Sequence, residues 1–300
     1  MKSKKSPADK ASTKANAVPP VASSEQKYDV RPGQSIELLK ELHILTRDGK
    51  LNQDSRRKLK QVYHLYQFIE PLLLQALAER PQISLVDHGA GKSYLGFILY
   101  DLFFKPRLLA GQDAGSIYGI ETRGELVTRS QELAQRCEFP GMQFLPLSVA
   151  ESIQSDALPE QIDIVTALHA CNTATDDAIA FGLHKKAKFM VLVPCCQAEV
   201  ASVLRHNKAA NSKTALSELW RHPLHTREFG SQLTNVLRCL QLEAHGYQVS
   251  VTELVGWEHS MKNELIIATR KNQSNPKAKA RLNEVLAEVG LQELAQRFFV

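Results

Sequence analysis

The stretch Ile83-Ser84-Leu85-Val86-Asp87-His88-Gly89-Ala90-Gly91-Lys92-Ser93 constrains this chain more than any other. A short apolar run ends in a carboxylate, passes through two glycines and enters an apolar, helix-compatible segment from Tyr94 to Phe104. That order reads as a buried parallel strand, a tight turn and a helix N-terminus, a geometry suited to a nucleotide-like ligand. The glycines let backbone approach a ligand with no Cβ in the way.

Spacing separates the ligand classes that use such loops. Gly91-Lys92-Ser93 looks like the end of a phosphate-binding P-loop, but the first glycine of that pattern would fall at residue 86, which is Val86. The loop is then too short to wrap a triphosphate. A dinucleotide fingerprint needs a third glycine, and Lys92-Ser93-Tyr94 supplies none. What remains is strand, acid, x, Gly, x, Gly, with a second acid closing the next strand, Ser116-Ile-Tyr-Gly-Ile120-Glu121. An ionised Glu offers two acceptor oxygens, enough for both hydroxyls of a ribose. This order resembles class I S-adenosylmethionine (SAM) methyltransferases. The resemblance implies that the first loop holds the methionine and ribose portion and that Glu121 holds the ribose.

Composition narrows the setting. Three hundred residues suit one large domain with extensions. No apolar run approaches the roughly 18 residues that span a bilayer, and the N-terminus has neither a signal-peptide core nor the arginines of a mitochondrial presequence. Five cysteines, with Cys195 and Cys196 adjacent, argue against a disulfide framework and for a reducing cytoplasm. A net charge of +5 and a pI near 8.9 permit a polyanionic partner without requiring one.

Four parts are expected along the chain. Residues 1–27, rich in Lys, Ser, Ala and Pro, form a disordered basic tail. Residues 28–80 form a helical extension, with helices over 34–47 and 54–79. Leu59, Val62, Tyr63, Tyr66, Ile69, Leu73, Ala76 and Leu77 make one apolar face, and Pro71 is expected to kink or split the second helix. In many class I methyltransferases a helix before the first strand covers the cofactor site, which makes Lys60 and Gln61 candidates for that edge; a solvated basic face is the alternative. Residues 81–271 form the methyltransferase domain, and 272–300 a linker and helix whose stripe of Leu282, Val285, Leu286, Val289, Leu294 and Phe298 must bury against the domain or a second subunit.

Within the domain, strands at 83–87, 116–120, 142–145, 162–167 and 188–193 alternate with helices, which implies parallel pairing with right-handed crossovers. Tyr247–Leu254 and Leu265–Thr269 have the spacing of a closing antiparallel pair. The expected fold is therefore α/β: a Rossmann-like seven-stranded sheet, mostly parallel, with an antiparallel last strand. Thr173-x-x-Asp176 reads as a capping box for the helix after the fourth strand. Leu233, Val236, Leu237, Leu240 and Ala244 read as the apolar face of a helix that Gly246 ends.

Two motifs sharpen the resemblance: Leu168-His-Ala-Cys171-Asn-Thr-Ala-Thr-Asp176 and Pro194-Cys195-Cys196-Gln197. Together they are similar to the methyltransferase family that includes the eukaryotic tRNA 2′-O-ribose methyltransferase. Relatives commonly carry Gly where this chain has Asn172. His169, Cys171, Cys195 and Cys196 have several readings: zinc ligands, a methyl-accepting thiol, small residues packed against cofactor and strands, or, for His169, a substrate-facing base. No metal is assigned. Ser260-x-Lys262-Asn263 resembles a family element near the substrate mouth.

The candidate cofactor residues are then Asp87, His88, Gly89, Gly91 and Glu121, with the backbone of Ser148 and Val149 toward the adenine. His169, Lys262 and Asn263 are the candidates facing the acceptor. The expected cofactor is SAM and the expected partner an RNA acceptor. A protein or small-molecule acceptor is the alternative, and a non-catalytic nucleotide-binding scaffold on the same fold is a third.

Overall fold

The computed structural model describes residues 30–168, 173–194, 197–207, 215–254, 264–271 and 273–298. Seven strands, β1 (Ile83–His88), β2 (Gly115–Ile120), β3 (Met142–Leu145), β4 (Ile164–Leu168), β5 (Phe189–Val193), β6 (Tyr247–Glu253) and β7 (Glu264–Arg270), form one sheet in the order β3-β2-β1-β4-β5-β7-β6. The pairs among β1 to β5 are parallel; β7 runs antiparallel to both β5 and β6. The expected α/β architecture is borne out, including its one reversed strand.

β1 is buried on both faces, as a central parallel strand must be. Its side chains alternate: Leu85 joins a cluster with helices α2 (Gln53–Leu77) and α3 (Tyr94–Leu99), while Val86 joins one with Phe181 of α7 (Ala174–His184). The same period aims Asp87 at α3 and His88 at α7.

Helix α2 starts at an Asn52 cap that accepts from the Ser55 N–H and lays Leu65, Tyr66, Ile69, Leu73 and Ala76 into the sheet's own core cluster. The expected break at Pro71 does not occur; the helix runs through it. The carbonyl that Pro71 leaves without a partner belongs to Gln67, on the exposed face, where water can satisfy it. The helix expected over 34–47 shrinks to α1 (Ile36–Glu41), because His43 turns left-handed (φ 53°) and the Ile44 and Leu45 N–H groups fold back onto the Leu39 carbonyl.

The helix after the glycine loop outlasts its expected end. It passes through a π-helical turn (Tyr100–Phe104) into α4 (Lys105–Leu109). Asp101 in that turn accepts from the Ser35 N–H at 3.0–3.1 Å and from Lys105 Nζ at 3.1 Å, which ties α1 down. Helices α5 (Gly124–Arg136) and α6 (Val149–Gln154) follow β2 and β3.

After β5 come α8 (Glu199–His206), a 3-10 turn (Ala215–Trp220) and α9 (Pro223–Ala244). α10 (Pro276–Glu288) and α11 (Ala295–Phe298) bury Leu282, Leu286, Val289, Leu294 and Phe298 against Val200, Leu204, Trp220, Leu233 and Leu237, so the C-terminal stripe is covered by α8 and α9. Two expectations fail in this half. Val236 is 49% exposed, outside the apolar face assigned to α9. Neither half of the capping box forms at the head of α7: Thr173 has helical rather than extended backbone (φ −75°, ψ −14°) and makes no capping bond, and the Asp176 side chain is turned to a buried arginine. Among the described residues no helix is long and apolar enough to cross a membrane.

Candidate active site

The glycine loop closes around Asp87. Its register partners are Thr166 on β4 and Gly119 on β2. Thr166 donates its hydroxyl to Oδ1 at 2.9 Å, and Ser93 donates to Oδ2 at 3.1 Å. Ser93 is fully buried in the left-handed region (φ 49°), after Gly89 (φ 66°) and Gly91 (φ 56°), and so turns its hydroxyl back under the strand. Gly96 is obligatory beside this contact: a Cβ there would stand 2.5 Å from Ser93 Oγ. Asp87 is 2% exposed, and burial, its largest influence, pushes its carboxyl up to about 6 despite the hydrogen bonds that favour the anion.

A cavity of 340 Å³ opens beside this carboxylate, within the size range of small-molecule sites. Asp87, Ala90, Tyr94 and Leu168 border it from the strand ends, and α2 roofs it with Lys58, Gln61, Val62, Leu65 and Tyr66. Of the two candidates for the covering edge, Gln61 lines this cavity, whereas Lys60 is exposed and lies outside the lining.

Glu121 stands outside that lining and meets the loop from β2. Oε2 accepts from the Gly91 N–H at 2.8 Å, and the Arg123 guanidinium clamps both oxygens at 2.9 and 3.1 Å. The hydrogen bond from Arg123 is the main reason its carboxyl sits low, at about 2. Glu121 is thus already held by a residue that is itself 62% exposed at the side chain. Arg123 was not among the sequence candidates; an acid and an arginine two apart at a strand end are the signal that would have found it.

His88 lies on the opposite face, 5% exposed, its ring 5.4 Å from that of Phe181. Neither ring nitrogen has a hydrogen-bond partner, and burial lowers its pKa to about 4. Ser148 caps α6 in a reciprocal box: its hydroxyl accepts from the Glu151 N–H, and Glu151 accepts from the Ser148 N–H at 2.8 Å. Val149 begins that helix. Glu151 is thereby engaged with its own helix. His169, Cys171, Cys195, Cys196, Lys262 and Asn263 lie outside the described residues; among the described ones no group of His, Cys, Asp and Glu is arranged to hold a metal ion.

Residues 57–203, from within α2 to α8, match the family model described as "Methyltransferase domain". This is a methyltransferase domain. The enzyme's methyl donor is S-adenosylmethionine, and the site suits it: an anionic carboxylate at an apolar cavity wall for a sulfonium, and a second carboxylate at the adjoining loop. A search of curated proteins finds no significant match. Among solved structures, the methyltransferase resembles a magnesium protoporphyrin IX methyltransferase from Synechocystis PCC 6803 with bound S-adenosylhomocysteine (17% identity, 79% of this chain and 96% of that one, TM-score 0.39). It also resembles a precorrin-6y C5,15-methyltransferase from Geobacter metallireducens GS-15 (16%, 68% and 89%, 0.39) and an rRNA methylase from Streptococcus thermophilus (10%, 68% and 95%, 0.41). The architecture stands on the observed strand order rather than on these likenesses.

Proposed function

We propose that this methyltransferase transfers its methyl group to RNA, in a reducing cytoplasm, with the cofactor held between Asp87 and Glu121. The observation that carries the site assignment is the cavity walled by Asp87 and Ala90 and roofed by α2. Bound there, SAM supplies an electrophilic methyl on a cationic sulfur. The protein's share is to hold that cation near a buried anion, exclude water and aim an acceptor at the methyl, so few side chains need take part in bond making. Asp87 serves as the buried anion, itself fixed by Ser93 and Thr166. Gly89 and Gly91 leave the loop backbone open to the ligand. Glu121 takes the ribose hydroxyls once Arg123 yields one of its oxygens. His169, Lys262 and Asn263 retain the acceptor-facing role that the family resemblance implies.

RNA is supported by that resemblance, by the net charge of +5, and by a second pocket of 260 Å³ that shares Leu42 with the first. Lys92, Arg129, His43 and Arg136 line it, against Glu41 and Glu132. Arg136 is spent on Glu37 and Glu41. Calorimetry with SAM tests the cofactor site: Glu121→Ala should weaken binding by about 10- to 100-fold, the loss of hydrogen bonds to a charged group. No SAM binding by the wild type would return the protein to the scaffold reading. With tritiated SAM and total cellular RNA, label should enter RNA, and RNA binding should weaken steeply with salt. Label in protein or in the small-molecule fraction instead would replace the acceptor class.

A further inference from the structure

The half of the sheet beyond Asp87 holds a second polar assembly that none of the cofactor chemistry uses. Arg238, on α9, is 1% exposed. Its Nε and Nη2 bind the two oxygens of Asp176 at 2.7 and 2.9 Å, and its Nη1 donates to Asn235 Oδ1 at 3.1 Å. Asn235 donates from Nδ2 to Glu264 Oε2 at 2.6 Å and accepts from Gln197 Nε2 at 2.9 Å. Ser231 closes the set by donating to Gln197 Oε1 at 2.8 Å.

Three distant chain points converge on these α9 residues. Asp176 is in the first turn of α7, just beyond the carboxyl end of β4. Gln197 follows the carboxyl end of β5. Glu264 opens β7, which runs antiparallel to β5 and so begins at the same rim. This is the rim that carries Asp87 and Leu168, and in an open α/β sheet ligands lie beyond the carboxyl ends of the strands. In sequence, the three points also adjoin the motif residues His169–Asn172, Cys195-Cys196 and Lys262-Asn263. A fold that needed only stability here would be served as well by apolar side chains, since a buried ion pair gains little over them.

We infer that Arg238 and Asn235 are positioning residues for methyl transfer, fixing the heads of α7 and β7 and the segment after β5 in one register at the acceptor end of the rim. They touch neither cofactor nor reacting atoms. The inference rests on the proposed methyl-transfer reading, and its test separates the two.

Asn235→Asp is the informative variant. It keeps the oxygen that Arg238 and Gln197 use but sets a carboxylate against Glu264. Asn235→Asp/Glu264→Gln restores that bond with donor and acceptor exchanged and total charge unchanged. Arg238→Met would strand the Asp176 carboxylate and risks unfolding, so it serves as a secondary variant. Three measurements use the full chain: SAM affinity by calorimetry, tritium transfer from SAM to total cellular RNA at saturating SAM, and amide hydrogen exchange. Asn235→Asp should leave SAM affinity unchanged and cut the transfer rate about tenfold or more, as expected for a buried hydrogen bond to a charged group. Exchange should quicken together in peptides covering 166–180, 190–200 and 260–268. The double variant should recover both. Unchanged transfer with lowered thermal stability would reduce the network to a structural role and overturn the inference, as would exchange confined to α9. Loss of SAM binding in the wild type would instead sink the cofactor reading, and the exchange pattern would still decide the network.

Discussion

The two halves of the rim are built on opposite plans. Around β1 and β2 the charged groups are held by the glycine loop and by adjoining strands: Asp87 by Ser93, six residues on, and by Thr166, 79 residues on but on the paired strand, and Glu121 by Arg123 and by the Gly91 N–H. Around β4, β5 and β7 the charges are held by one helix, α9, which reaches 62 residues back to Asp176, 38 back to Gln197 and 29 forward to Glu264. The first plan fixes the loop through the strands paired beside it and needs no helix from the far end of the chain. The second makes geometry at the far end depend on global packing.

The comparison breaks most visibly at Arg238. Arg238→Met leaves Asp176 buried and unpaired and should cost about 3–5 kcal/mol of unfolding free energy in urea. Asp176→Asn/Arg238→Met should recover most of that loss, since no charge then remains without a partner. A single variant that unfolds at the wild-type denaturant midpoint would show that water reaches Asp176 and that α9 does not hold this end.

The same contrast explains what could be read from the sequence. The strand order, the acid–Gly–Gly–acid loop and the covering helix are local patterns, written in periodicity and short spacings, and the structure returns them with shifts of a few residues at most strand ends. Failures occur where a distant partner decides. Thr173-x-x-Asp176 has the spacing of a capping box, but Arg238 takes the aspartate. On α9, Ser231, Asn235 and Arg238 recur at helical spacing and look in sequence like a solvated face; all three are buried. Nothing in the chain near Arg238 announces Asp176. Arg123 was missed for a different reason: it lies within reach of Glu121 in the sequence, but an exposed arginine at a helix start has an ordinary reading.

Asp87 and His88 should reveal how stiffly the cofactor half is built. In the folded protein Asp87 titrates near 6 against an ordinary 3.8, so between these values the native state binds more protons and stability falls as pH rises. His88 titrates near 4 against 6.5, so the unfolded state binds more protons over that window and stability rises with pH. Each effect is worth about 3 kcal/mol at most, and the two nearly cancel between pH 4 and 6. His88→Phe should uncover a stability that declines from pH 4 to 6, and Asp87→Asn one that climbs from pH 4 to 6.5. Thermal unfolding across that range measures both; parallel profiles for the two variants would mean that neither group carries the assigned burial.

A smaller effect marks the edge of the cofactor half. Ser148→Ala removes the cap of α6 and should cost about 1 kcal/mol, while SAM affinity stays unchanged, because the proposed adenine contacts at 148 and 149 are made by backbone. A large loss of affinity would transfer the adenine role to the hydroxyl.

The smallest expected change asks whether Arg123 keeps Glu121 or serves the ligand. If it is only a keeper, Arg123→Ala takes the guanidinium off both carboxylate oxygens and leaves them the Gly91 and residue-123 backbone N–H groups, and SAM affinity should move by no more than about fivefold, the range of an exposed ion pair. The acid limb should move as well. Glu121, held at about 2, contributes stability that is complete above pH 4.5 and disappears as pH falls toward 2. Without Arg123 its carboxyl returns toward 4.5 and that part of the profile flattens. Calorimetry on Arg123→Ala beside Glu121→Ala decides the matter. An arginine variant as impaired as the glutamate variant would make the pair a single ligand-holding unit, and local holding on this side of the rim would then include the guanidinium as a direct contact.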